Sequence, residues 1–235
     1  TLNFNEIFSY VKNDFKKVKD LQLSMEKIMN DLLKESKNFG LKNSFYLHMM
    51  PNLGSNENRE IMKYATKNEF GTTDIQFIIN GAIKEAGLLF LLNKYISAKT
   101  GVYPFGENFN VRNAPKTLDE LVKLCRDRIS SDEMPLLVGI GDTVTSAKDI
   151  KSKCWLRGGS DRGFLTLIQR LGALYNKDNQ VIFVNSSNDQ VMRPRVFGSE
   201  MTGISDPNDD LKFNMVITDG PEEYIKWFKQ LASNF

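Results

Sequence analysis

The chain is predicted to be α/β, and three observations carry that prediction. Short apolar runs of strand length recur along it, and segments with helical apolar spacing separate them. One apolar run, residues 134–141, ends in Gly141-Asp142, which places a carboxylate at a strand tip, where open α/β sheets bind ligands. A run so short and apolar reads as a buried strand, parallel and covered on both faces.

In chain order, residues 4–36 carry Phe4, Ile7, Phe8, Val11, Phe15, Val18, Met25, Ile28 and Leu32 at helical spacing, and Gly40 marks a helix stop. No strand is expected before residue 40. Residues 44–50 read as a strand ended by Pro51-Asn52-Leu53-Gly54, 57–68 as a modest helix, and 74–79 as a second strand closed by Asn80-Gly81. Residues 83–96 form a strongly apolar helix. Residues 99–116 hold Gly, Pro and Asn with little periodicity, an excursion longer than a plain connector. A helix over 118–129 leads into the Asp142 strand. The string Arg157-Gly158-Gly159-Ser160-Asp161-Arg162 opens the helix of Phe164, Leu165, Leu167, Ile168 and Leu171. Residues 180–185 are a strand, 186–210 polar loop, 211–218 a last strand, and 221–231 a last helix with proline at its start. The alternation changes character near residue 80. Residues 1–80 resemble a small α+β layer, and residues 81–235 hold the βα units.

Composition excludes several classes. The 235 residues are 41% hydrophobic and 26% charged, with 31 basic against 29 acidic side chains and a net charge of +2. That balance gives no footing for nucleic acid or a membrane surface. Cys125 and Cys154 are too few and too far apart for a disulfide framework or a zinc site. No apolar stretch approaches the roughly 18 residues of a membrane span, and no signal peptide is read. A cytoplasmic location is expected. The first residue is Thr1 rather than Met, so a processed, cut or incomplete chain is expected.

The candidate chemistry gathers around three side chains. Asp142 at the strand tip and Asp161 at a helix start supply hard oxygen ligands suited to magnesium. The plain alternative is a turn residue and a helix cap; Asp149 is a second candidate ligand. Lys84, at the start of the apolar helix, is badly placed against the helix dipole. A cation beside two carboxylates makes sense where a phosphate must be held; the alternative is a solvated lysine.

These residues carry a resemblance. Lysine at a helix start, a strand ending Gly-Asp and Ser-Asp opening a helix resemble the second half of a haloacid-dehalogenase-type phosphatase. Longer strings resemble the glucosylglycerol-phosphate phosphatases: Leu41-Lys42-Asn43-Ser44-Phe45, His48 with Pro51-Asn52-Leu53-Gly54, and Gly71-Thr72-Thr73-Asp74 with Gln76-Phe77. Lys84-Glu85-Ala86-Gly87, Tyr103-Pro104 with Gly106-Glu107, Gly141-Asp142-Thr143-Val144-Thr145-Ser146 and the Asp161 string complete the set. The resemblance implies an incomplete parallel-sheet core over 81–235 with a partial cap over 1–80. It also implies a magnesium-dependent phosphomonoesterase with an aspartyl nucleophile and a second aspartate as general acid and base. Its substrate would be glucosylglycerol 3-phosphate, and its product a compatible solute made under salt stress. Lys84 would hold phosphate and nucleophile together, and Asp142 and Asp161 would place the metal.

One motif of the pattern is missing. No Asp-x-Asp occurs in the chain. The chain is therefore expected to correspond to the C-terminal part of the enzyme, to be inactive alone and to bind magnesium weakly. The Asp142 strand would present an open edge, so a homo-oligomer covering it, or else a poorly stable monomer, is expected. For the sugar, Asp74 and Gln76, with Thr72 and Thr73 beside them, offer hydrogen bonds or close a turn. Glu107 and Asn108 lie in the excursion within reach of a sugar. His48 touches substrate or is a hydrogen-bonded structural histidine. Arg157 and Arg162 steer phosphate or pair with carboxylates, and Trp155 and Trp227 are read as packing. Two other readings stand beside this one: a non-catalytic module binding a sugar phosphate or a partner, and a phosphatase for sucrose or mannosylglycerate phosphate.

Overall fold

In a computed structural model of the chain, the residues described are 2–41, 44–50, 55–56, 59–80, 83–148, 153–185, 195–197, 200–202 and 208–233. The elements run β1 (Leu2–Asn3), α1 (Phe4–Tyr10), α2 (Phe15–Asn38), β2 (Phe45–Met50), β3 (Ser55–Asn56), β4 (Arg59–Glu60), β5 (Asp74–Ile79), α3 (Lys84–Thr100) and α4 (Leu118–Arg128). They continue with β6 (Val138–Gly141), β7 (Thr145–Lys148), β8 (Trp155–Gly158), α5 (Arg162–Tyr175), β9 (Gln180–Val184), β10 (Arg195–Phe197), β11 (Glu200–Thr202), β12 (Met215–Ile217) and α6 (Pro221–Ala232). The α/β class holds. The chain forms two compact units, the first taking Thr1–Asn80, Thr143–Gly159 and Ser187–Asp206, the second Gly81–Asp142, Ser160–Ser186 and Pro207–Phe235.

The first unit is built on an antiparallel sheet of order β1-β5-β2. Met49 and Ile75 are buried in an apolar cluster with Phe4, Val18 and Met29, and Leu47 and Phe77 pack against it. β1 corrects the expectation of no strand before residue 40: Leu2 pairs with Ile75 and Asn3 with Asp74. The single helix read over 4–36 is two helices. Lys12 and Asn13 adopt φ of 58° and 57°, which ends α1. Asp14 then caps α2, its carboxylate accepting from Lys16 N at 2.9 Å and Lys17 N at 3.3 Å.

The helix expected over 57–68 is absent among the described residues. Arg59–Glu60 pairs with Ser55–Asn56, and 61–66 has no regular structure. The reason is Gln22, a fully buried polar side chain on α2. Its Oε1 accepts from Ala65 N at 2.7 Å, and its Nε2 donates to Phe70 O at 2.8 Å and Thr72 O at 2.7 Å. Those bonds satisfy the backbone in an irregular path and outweigh weak helix propensity. Thr145–Lys148 and Trp155–Gly158 form an antiparallel hairpin that the sequence did not announce.

The second unit holds a parallel sheet of order β12-β9-β6, with Val138 to Gly141 opposite Gln180 to Phe183. Two expectations for β6 change. It begins at Val138, because Leu137 is held by Asn179, whose Oδ1 accepts from Leu137 N at 2.9 Å. It is also not fully covered, since Leu136 is 59% and Val138 51% exposed. Among the described residues no strand lies on its outer side. The glycines of β6 let α5 approach: a Cβ on Gly139 would meet Ile168 Cδ1 at 2.5 Å, and one on Gly141 would meet Asp161 Cβ at 2.8 Å. On the other side Ile182, Val184 and Ile217 pack with Ile140, Tyr224 and Trp227. Trp227 is thus a packing residue.

Helices α3, α4 and α5 share the main core, including Leu89, Leu92, Ile96, Leu121, Leu167 and Leu171. α4 is opened by a capping box between Thr117 and Glu120. The excursion is real. Residues 101–117 leave α3 through Gly101 at φ 77°, and buried Asn93 ties them down, donating to Gly106 O and accepting from Phe105 N, each at 2.9 Å. The strand read over 211–218 is shorter, Met215–Ile217. Within the polar stretch 186–210, β10 and β11 pair antiparallel. Among the described residues no helix is long and apolar enough to cross a membrane.

Candidate active site

The three residues singled out for phosphate and metal chemistry meet in the second unit. Lys84 is the first residue of α3, where the helix dipole opposes a cation. Its ammonium is offset by Asp161, to whose Oδ1 it donates. The lysine side chain is 53% exposed and the aspartate 4%, so the pair has one wet and one sealed partner. Lys84 Nζ also lies 5.9 Å from the centroid of Phe164.

Asp161 occupies the N-cap position of α5 but makes no side-chain cap bond. Its second oxygen, Oδ2, accepts from Asp142 N at 2.9 Å. The plain helix-cap reading is therefore set aside for Asp161: both oxygens serve the lysine and the strand tip. Gly141 permits this approach, since any Cβ there would press on Asp161. Asp142 is half-buried at the C-terminal end of β6.

These residues line a pocket of about 470 Å³ with Ile140, Gly141, Phe164, Val184, Pro221 and Tyr224. One end is charged and the walls are apolar and aromatic, the usual make-up of a small-molecule site. Among the described residues no group of three or more His, Cys, Asp or Glu side chains could hold a metal ion. The fit to magnesium therefore rests on Asp142 and Asp161 alone. Magnesium is commonly held by one or two carboxylates together with substrate phosphate and water, so donor type and number suit it. Asp161 would have to share an oxygen now bonded to Lys84.

Glu85 is a member of this neighbourhood that sequence reasoning quoted but did not assign. Burial pushes its carboxyl above the ordinary value of 4.5, nearby Asp161 adds to the rise, and its own backbone and Lys84 oppose it. Its carboxylate lies over Gly163, where a side chain would collide with it. The sequence signal was present: two charged residues open a helix that is otherwise apolar.

The remaining candidates lie elsewhere. Glu107 is exposed in the excursion and does not line the pocket. Arg162 forms a bidentate pair with Asp209, Nη1 to Oδ1 at 2.8 Å and Nη2 to Oδ2 at 2.9 Å, with side-chain exposures of 16% and 2%. It is an anchor for the segment before β12. His48, Thr72, Thr73, Asp74 and Gln76 belong to the first unit. Thr72 and Thr73 are buried, and their hydroxyls close the loop: Thr72 Oγ1 accepts from Lys63 N at 3.0 Å, and Thr73 Oγ1 donates to Met50 O at 3.1 Å. His48 is paired with Glu60. Pro51-Asn52-Leu53-Gly54, Gly81-Ala82 and Asp149 lie outside the described residues.

The comparison with known families settles kinship. The sequence profile of the glucosylglycerol-phosphate phosphatases matches residues 1–232. The chain belongs to that family. The glucosylglycerol-phosphate phosphatase of Synechocystis sp. is 39% identical to it over 245 residues, covering 99% of this chain and 58% of that relative. The chain thus spans 58% of the length of the curated relative it matches. No solved structure matches it. Within the glucosylglycerol-phosphate phosphatase family, a parallel three-stranded sheet with Asp142 at one strand tip is consistent with a haloacid-dehalogenase-like α/β fold.

Proposed function

We propose that this chain supplies the phosphate-holding part of a phosphomonoesterase that hydrolyses glucosylglycerol 3-phosphate to glucosylglycerol and phosphate. The observation that carries the reading is the Lys84–Asp161–Asp142 linkage at the C-terminal tip of β6, combined with family membership. Lys84 reaches outward from a sealed carboxylate, so its ammonium is oriented and still available to phosphate oxygens. Asp142 and Asp161 are the carboxylates that would hold magnesium, which when bound would neutralise phosphate charge. Phe164, Tyr224, Pro221 and Val184 form the apolar walls that limit water around the phosphate. Asp74, Gln76 and His48, on the first unit's sheet, are the groups offered to the sugar hydroxyls. A cytoplasmic site of action and a role in compatible-solute synthesis belong to the same reading.

The 235 residues contain no Asp-x-Asp. The nucleophile is therefore assigned to sequence outside them, and the chain by itself is inactive. The test is phosphate release from glucosylglycerol 3-phosphate with magnesium, by this chain and by a longer polypeptide carrying an Asp-x-Asp strand. Turnover is expected only from the longer protein. It should disappear with a chelator and fall by about 10²-fold or more in Asp142→Ala and Lys84→Ala. Turnover by the 235 residues alone would refute the assignment. A preference for sucrose phosphate over glucosylglycerol 3-phosphate would move the substrate but keep the chemistry.

A further inference from the structure

His48 is the sole histidine of the chain and sits in mid β2 opposite Gln76. Directly opposed residues of an antiparallel pair share a face, and alternation sends their neighbours to the other. Tyr46, His48 and Met50 of β2 therefore share a face with Asp74, Gln76 and Ile78 of β5. The opposite face gives Leu47, Met49, Ile75 and Phe77 to the apolar cluster. One side of this small sheet is core and the other carries hydrogen-bonding side chains.

On that polar side Glu60 grips the histidine. Both carboxylate oxygens lie 3.0 Å from His48 Nδ1, and Oε2 also accepts from Met49 N at 2.7 Å. The two side chains are 12% and 13% exposed. An ionised carboxylate only accepts, so beside it Nδ1 carries the hydrogen. In the neutral ring Nε2 is then the acceptor, because the bond made by one nitrogen decides the state of the other. No described group bonds to Nε2. Among the described residues the only sealed, unbonded side-chain polar atom is Ser146 Oγ, so Nε2 is open to solvent. The pair is nearly buried, yet Nε2 is left unsealed and unbonded among the described groups.

A histidine needed only to fill space would not require a nearly buried carboxylate, which costs desolvation. We propose that Glu60 is a positioning residue that fixes His48 with Nε2 as the acceptor for a hydroxyl of the sugar. The inference rests on the sugar-phosphate reading above and adds the atom that does the reading. It also explains why the sheet face opposite the core carries His48 beside Gln76 and Asp74 rather than an apolar set.

Because His48 is unique in the chain, ring ¹⁵N spectroscopy of the full chain reports on these two nitrogens without assignment. The expected spectrum of the neutral ring shows the hydrogen on Nδ1 and a bare Nε2. Glucosylglycerol should shift Nε2, and inorganic phosphate should not. Glu60→Gln should mix the two tautomers and weaken glucosylglycerol binding, read by calorimetry, by about tenfold. A hydrogen found on Nε2 in the wild-type ring overturns the proposal outright. Calorimetric binding of glucosylglycerol that leaves Nε2 unmoved overturns it while leaving the family reading in place. Absence of any binding of glucosylglycerol overturns both this proposal and the substrate reading it rests on, and leaves family membership untouched.

Discussion

At Asp161 two demands meet in one buried side chain, since Oδ1 holds the Lys84 ammonium and Oδ2 holds the Asp142 backbone. Removing the carboxylate leaves the half-exposed Lys84 ammonium and the Asp142 N–H without this partner, so Asp161→Ala is expected to cost the site's geometry and about 1–2 kcal/mol of stability. Asp161→Asn keeps the shape and one acceptor; it should fold, measured by urea titration, while the longer phosphatase loses turnover. Glu85 makes a prediction with a sign. Burial holds its carboxyl above the ordinary 4.5, so the native state retains a proton that the unfolded chain has released. The associated stability is fully present below the ordinary value and is lost as pH rises through the raised one. Glu85→Gln is therefore expected to raise the urea midpoint near neutral pH and to change it little below about pH 4. A variant less stable than wild type at neutral pH would show that the charged form is needed for folding. Cys125 and Cys154 should separate cleanly: burial pushes the Cys125 thiol up to about 12, whereas Cys154 is exposed. A thiol reagent should modify one cysteine in the native chain and two after denaturation.

Elements were legible where one periodicity governed them and hidden where a single distant side chain did. The helices at α3 and α5 and the strands β2, β5 and β9 follow from apolar spacing; the helix ends were not read, since α3 runs to Thr100 rather than 96 and stops at left-handed Gly101, and α5 stops at left-handed Asn176. The meeting of Lys84, Asp142 and Asp161 also followed from motif order, because a strand tip and two helix starts converge in a parallel sheet. What escaped was long-range. Nothing around residues 57–68 shows that Gln22, some forty residues earlier, will claim Ala65 N, Phe70 O and Thr72 O. Nothing near Glu60 shows that it will grip His48, because the bond depends on a turn into β4. Gln22→Ala leaves three buried backbone groups unpaired and should lower stability by about 2–4 kcal/mol, read as a lower urea midpoint. Gly141→Ala would drive a methyl into Asp161 and Leu165. It should cost about 1–3 kcal/mol and displace Asp161 without touching its chemistry.

At the scale of the whole molecule the parallel sheet ends, among the described residues, at β6, with Leu136 and Val138 largely exposed beside it. Unpaired strand edges with apolar flanks recruit other chains. The 235 residues are expected to self-associate through this edge, and light scattering on the purified chain should show a species larger than the 26.8 kDa of one copy. Val138→Lys should shift it toward the monomer; a stable wild-type monomer would argue against the edge as an interface.

The division into units has a further consequence. Each unit is assembled from three separate stretches, and the chain passes between them five times, the first unit gaining its last stretch only at Ser187–Asp206. A ribosome adds about 5–20 residues per second, so the opening eighty residues wait many seconds for the pieces that complete their unit. The apolar cluster behind β2 and β5 is nevertheless drawn entirely from residues 4–77, with α1, α2 and Met62, Ala65 and Phe70 covering it. Nascent chains stalled just before residue 143 should therefore already protect residues 1–80 from protease, and the later stretches should add to that protection rather than create it. No single cut would release either unit as one continuous piece.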